Sequence, residues 1–181
     1  MVRVAVVLAD GFEEIEAIAP IDIFRRAGFD CQMIGLGGPV IEGSHGIRVQ
    51  VDSVFEGDLS NFDLIVLPGG MPGTIHLLNS ETLGMALQNV VSQDKTVAAI
   101  CAAPLVLDKA GLLNERRYTC FPGKEKEILS GIHVVEDVVI DGPIVTSRGA
   151  GTSLIFAYQL VNLLGGDGYK LAETMVYAIE Q

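Results

Sequence analysis

The stretch from Thr96 to Asp108 constrains this chain more than any other. Thr96 to Ile100 is a short apolar run, the pattern of a strand buried on both faces of a parallel sheet. A helical pattern begins directly after Cys101, with Pro104 in its first turn, where a missing N–H costs little. Cys101 therefore falls on a sharp strand-to-helix turn, a geometry that lifts a side chain clear of the sheet. Such a turn also sets the sulfur beside the positive end of a helix, which predicts a lowered thiol pKa. Two readings of Cys101 are open on this pattern, a reactive thiol and an ordinary buried cysteine.

The rest of the chain repeats the alternation. Residues 2–8 read as a first strand, Asp10-Gly11 as a turn, and Phe12 to Gly28 as a helix with Pro20 inside it and a glycine at its end. Cys31 to Leu36 follows closely as a second strand, completing a βαβ unit. Residues 35–46 carry turns and a short hairpin, with extended pieces at 48–51 and 54–55. Asp63 to Leu67 is another buried strand, and it runs into Pro68-Gly69-Gly70. Adjacent glycines at the carboxyl end of a parallel strand let backbone N–H groups face a ligand. A helix capped by Ser80 spans 80–93, and a short charged helix spans 123–129. A hairpin turns at Asp141-Gly142-Pro143, an apolar helix ends at Leu164, and a last helix runs from Tyr169 to Ile179. This order predicts one α/β domain over residues 1–181, a three-layer flavodoxin-like sandwich around a mostly parallel sheet.

Charge and cysteine content narrow the function. A net charge of −11 removes the electrostatic case for nucleic-acid or anionic-membrane binding. No apolar run reaches the ~18–20 residues of a membrane span. The first residues read as a strand rather than a signal peptide, so a cytoplasmic location is expected. Three cysteines (Cys31, Cys101 and Cys120) without CxxC spacing argue against a disulfide framework or a zinc site, and leave room for one functional thiol.

Glu16 heads a stripe formed by Ala19, Pro20, Ile23 and Ala27. A carboxyl held against apolar surface has its pKa raised and carries a proton near neutrality; a glutamate snorkelling to water fits the same pattern. Glu13 and Glu14 suit the dipole of the helix start.

Taken in succession, Ala9 to Glu16, Phe24 to Gly28, Asp63 to Gly70, Ala98 to Pro104 and Thr146 to Thr152 resemble the ThiJ/PfpI superfamily. The match is to the branch of Parkinson disease protein 7 and its bacterial homologues, with a class I glutamine amidotransferase-like fold. The resemblance covers nearly the whole chain. It implies that Cys101 is a nucleophilic, oxidation-sensitive cysteine and that Glu16 is a protonated carboxyl bonded to its sulfur. It further implies an oxyanion hole from the N–H groups of Gly70 and Ala102, a homodimer using the first helix, and no metal or organic cofactor. Arg26, near the end of that helix, is a candidate to approach the partner's site.

Two positions depart from the family pattern. Phe121 stands where the glyoxalase-active members carry a histidine, and Ala102 stands where the peptidase branch carries one. His45 replaces a common arginine; it reads equally as a pocket residue and as a solvated loop histidine. His76 and His133 read as structural or exposed.

Two functions from different classes follow from the resemblance. One is a glyoxalase or deglycase acting on small α-oxoaldehydes such as methylglyoxal, or on their adducts, slowed by the missing histidine. The other is a redox-responsive protective protein or chaperone whose Cys101 is oxidised to sulfinate. A cysteine peptidase has the least support.

Overall fold

The computed structural model describes residues 1–177. Its elements are β1 (Arg3–Leu8), α1 (Glu14–Arg26), β2 (Asp30–Gly35), β3 (Val40–Glu42), β4 (Arg48–Gln50), β5 (Ser53–Val54), β6 (Leu64–Leu67), α2 (Gly73–Asn79) and α3 (Glu81–Ser92). After these come β7 (Thr96–Ile100), α4 (Pro104–Lys109), β8 (Arg117–Tyr118), β9 (Ile132–His133), β10 (Val138–Asp141), β11 (Ile144–Ser147), α5 (Ser153–Leu163) and α6 (Gly168–Thr174).

Seven strands form one sheet in the order β10-β11-β7-β6-β1-β2-β5. Every neighbouring pair is parallel except β10 with β11, which closes one edge as a hairpin. Side chains alternate across the sheet with period two. Ala5, Val7, Ile65, Leu67, Val97 and Ala99 pack on one face, against Leu83, Leu87 and Val90 of α3 and Val106 of α4. Val4, Val6, Leu8, Leu64, Val66, Ala98 and Ile100 pack on the other, against Ile23 and Phe24 of α1 and Phe156, Leu160 and Val161 of α5. Both faces of the strands are buried, which is why the runs read as continuously apolar. The fold is the flavodoxin-like sandwich that the alternation predicts.

The chain leaves β1 to build β2 on one side, then returns to build β6 on the other. The crossovers from β1 and β6 diverge there, opening a crevice at the carboxyl ends of β1, β6 and β7.

Several boundaries differ from the sequence reading. α1 starts at Glu14, because Phe12 is buried in the core and Glu13 takes the cap, its side chain accepting from the Ile15 N–H. Glu16 is thereby in the first turn, and Pro20 supplies no N–H to its carbonyl. The short helix α2 has no counterpart in the sequence reading; it begins at Gly73, directly after Pro72. The helix expected over 123–129 shortens to one 3₁₀ turn, Lys124–Lys126. The last helix is defined to Thr174; Ala178 and Ile179, the end of the expected span, lie outside the described residues. No helix among the described residues is long and apolar enough to cross a membrane.

Phe24 is fully buried between α1 and the sheet. Phe24→Ala should destabilise the fold by about 3–5 kcal/mol through lost transfer energy and a residual cavity; urea denaturation of both forms measures this.

Candidate active site

Cys101 follows β7 directly and has φ +67°, a left-handed conformation that costs a non-glycine residue strain. Its neighbours over-determine it. The Cys101 N–H donates to the Ser147 carbonyl at 3.0 Å, and its carbonyl accepts from the Phe121 N–H at 2.8 Å. The sulfur is thus fixed at the end of β7 by β11 on one side and by the loop after β8 on the other.

Glu16 comes to the same point from α1 and is 1% exposed. The Gly69 N–H donates to its Oε2 at 2.8 Å, while the Gly69 carbonyl accepts from the Glu13 N–H at 2.9 Å. One peptide after β6 therefore aims the Glu16 side chain and anchors the start of α1. A Cβ on residue 69 would lie 2.7 Å from both the Cys101 Cβ and Glu16 Oε2, so only glycine fits between them. In the sequence, Gly69 is marked only by its place in a glycine pair. Gly70 has φ +91°, and a Cβ there would sit 2.3 Å from the Glu13 nitrogen.

Burial raises Glu16 to about 7, against opposing hydrogen bonds from Cys101 and Gly69. Burial, the Glu16 charge and the Glu16 hydrogen bond push the Cys101 thiol up to about 12, against the Ala102 and Gly70 N–H groups that favour thiolate. The lowered thiol pKa expected from the turn is therefore overturned. α4 begins only at Pro104 and has six residues, so its dipole is short, and burial beside a carboxylate outweighs it. The two groups are coupled: Glu16 ionises first, at about 7, and the thiol keeps its proton above that point.

The remaining expected residues lie around this pair. The Gly70 and Ala102 N–H groups both act on the Cys101 sulfur. Phe121 is half exposed, joins Cys101 through its backbone, and borders an open depression of about 310 Å³ with Arg148, Gly149 and Thr152. His45 is exposed, and its Nδ1 lies 2.8 Å from Oε2 of the buried Glu14, whose Oε1 accepts from the His45 N–H at 2.7 Å. Burial raises Glu14, but the His45 bonds outweigh it and hold the carboxyl at about 2; the same bond raises His45. Arg26 pairs with Asp22 at 2.7 Å, about 15 Å of helix from Glu16. His76 Nδ1 meets the Asp10 carbonyl at 2.9 Å, and the His133 ring packs on Tyr118. Among the described residues, no hydrogen bond joins a histidine to Cys101.

An α/β sandwich with a strained cysteine elbow, a buried glutamate and two glycines at its switch point defines a class of cysteine-centred small domains. Residues 2–163 match the DJ-1/PfpI family, and the chain belongs to it. It is 37% identical over 165 residues to a deglycase of Pyrococcus abyssi, covering 90% of this chain and 99% of that protein. It is 36% identical over 167 residues to protein DJ-1 homolog B of Arabidopsis thaliana, covering 91% of this chain but only 38% of that longer protein. Among solved structures, a cysteine-to-alanine mutant of a DJ-1 superfamily protein from Salmonella typhimurium superposes with a TM-score of 0.94 at 34% identity. That match covers 99% of this chain and all of the other.

The raised Glu16 has a thermodynamic consequence. Its folded pKa lies above the unfolded value of 4.5, so the acid form favours folding fully below pH 4.5. That contribution fades as pH rises towards 7, where the folded carboxyl ionises. Wild type should therefore lose up to about 3 kcal/mol relative to Glu16→Gln between pH 4.5 and 7.5. Paired denaturant titrations across this range check it.

Proposed function

We propose that this protein is a cofactor-independent enzyme of the glyoxalase or deglycase type, acting on small α-oxoaldehydes such as methylglyoxal or on their adducts. The observation that carries the reading is the buried Glu16 carboxyl at the Cys101 sulfur with two amides alongside. The deglycase among the family members supports it. Addition of the Cys101 sulfur to the aldehyde carbon forms a C–S bond, while the thiol proton passes to Glu16. The carbonyl electron pair becomes an oxyanion, which Gly70 and Ala102 N–H groups stabilise by about 3 kcal/mol per donor, and it then takes up that proton as a hemithioacetal. Glu16 next removes the proton from the former aldehyde carbon and returns one to the neighbouring carbon, while the hydroxyl proton passes to the neighbouring carbonyl oxygen through the enediol, leaving a thioester. Water cleaves the thioester, releasing the hydroxy acid and the free thiol. A carboxyl that titrates near 7 suits both halves of this transfer.

We extend the reading to a homodimer of cytoplasmic location. Ile15 and Ile18 are exposed one turn apart on α1, beside Glu16, and offer an apolar start for a dimer interface. The pairing of Arg26 with Asp22, far along the helix, gives it no role at the site of its own chain.

The same geometry supports a second reading, a redox-responsive protective protein. A sulfinate on Cys101 would accept hydrogen bonds from Gly70, Ala102 and protonated Glu16.

Kinetics separates the two. Reduced wild type should turn over methylglyoxal slowly, and Cys101→Ser should fall to background. Phe121→His should raise kcat by about tenfold or more, since a histidine there supplies the missing proton relay. His45→Ala should leave kcat within about twofold, because His45 is committed to Glu14 and not to Cys101. No turnover by wild type or Phe121→His, with peroxide oxidising Cys101 first, would put the redox reading ahead.

A further inference from the structure

Among the described residues, two clusters bring three metal-ligating side chains within 4.8 Å of one another. In the first, Glu13, Glu14 and His45, the ligands are already spent. Both Glu14 oxygens accept from His45, and Ser44 Oγ adds a contact to Oε2 at 3.3 Å. The second, Cys120, Glu125 and His133, is different in kind, because it mixes a thiol, a carboxylate and an imidazole.

Its three members come from separate pieces of chain that the fold holds together. Cys120 follows β8, is 1% exposed and is a free thiol. His133 is on β9, whose parallel pairing sets it opposite Tyr118. The Tyr118 ring meets the His133 ring with 5.5 Å between centroids, which fixes the plane of the imidazole. Glu125 is on the 3₁₀ turn, and its Oε2 accepts from the Gly123 N–H at 2.6 Å, which orients the carboxylate and leaves Oε1 to act as a ligand. The Glu125 N–H is directed at the Cys120 sulfur. The nearby Lys124 cation is engaged with Glu127 at 2.7 Å. A buried sulfur at the base and an exposed imidazole at the rim leave an entry path from solvent.

We propose that Cys120, Glu125 and His133 form a three-ligand site for a thiophilic divalent cation of the zinc class, with water completing the coordination. Thiolate, imidazole and carboxylate together suit Zn²⁺ better than Mg²⁺ or Ca²⁺, which take all-oxygen sets. Tetrahedral bonds of ~2.0–2.3 Å put neighbouring ligand atoms ~3.3–3.8 Å apart. Closing from within 4.8 Å needs only small movements of the Glu125 and His133 side-chain ends. Binding forms the metal–sulfur bond and releases the Cys120 thiol proton to water, with no change of oxidation state. The site is distinct from the Cys101–Glu16 pair, but Phe121, next to Cys120 in the chain, touches Cys101 through its backbone. Residue 121 donates to the Cys101 carbonyl, so the metal would clasp the loop that carries this bond.

The test titrates Co²⁺ alone into reduced protein carrying Cys101→Ser, which removes the one cysteine that is not buried, and follows the thiolate-to-cobalt charge-transfer band. The band should saturate at one metal per chain, disappear when Zn²⁺ is added, and be missing when Cys120→Ser is combined with Cys101→Ser. His133→Gln, an exposed change that spares the core, should weaken Co²⁺ binding by about tenfold or more. If the Cys120 variant does not fold, His133→Gln and Glu125→Gln decide alone. A band that survives loss of Cys120, no band in Cys101→Ser, or affinity unchanged by His133→Gln overturns the site.

Discussion

The left-handed backbone of Cys101 is the constraint on which the site depends. A non-glycine residue at φ +67° persists only when its surroundings fix it. Here both of its peptide groups are tied, one to Ser147 on β11 and one to Phe121. The turn aims the sulfur at the crevice formed by the divergence around β1 and β6, where α1 delivers Glu16. Gly69 occupies the space between the two groups, and its amide holds the carboxyl in place. Strain, topology and one glycine thus converge on a single pair.

The electrostatics of that pair differ from those of an isolated acidic thiol. Low dielectric makes any single charge costly, so Glu16 rises towards neutrality and the thiol rises with it when Glu16 is ionised. Two amides offset part of the cost for sulfur. In the proposed reaction the nucleophile is generated as its proton is passed to the neighbour, so reactivity would follow the Glu16 proton rather than a standing thiolate.

The fold was legible because each core strand is buried on both faces and therefore reads as an unbroken apolar run, as at Leu64–Leu67 and Thr96–Ile100. Cys101 was marked by the abrupt change from strand to helix, and Glu16 by its place at the head of an apolar stripe. The spacing alone left both open, and the family resemblance weighted them. Three features lay beyond the sequence. The rise of the Cys101 pKa depends on burial and on a partner 85 positions away. The commitment of His45 to Glu14 depends on how the β3–β4 hairpin folds back over the start of α1. The meeting of Cys120 with His133 depends on the β8–β9 pairing, which joins two-residue strands too short to leave a periodic signal.

The most direct measurement is the pH dependence of Cys101 alkylation by iodoacetamide, mapped by peptide, in wild type and Glu16→Gln. Proton sharing predicts that the wild-type rate climbs to pH about 7, where Glu16 ionises, and then levels off, whereas Glu16→Gln shows no break there and keeps climbing to its own thiol pKa, which lies below the wild-type value once the Glu16 charge is gone. Superimposable profiles in the two proteins, or faster labelling at Cys31 or Cys120 than at Cys101, would contradict the account.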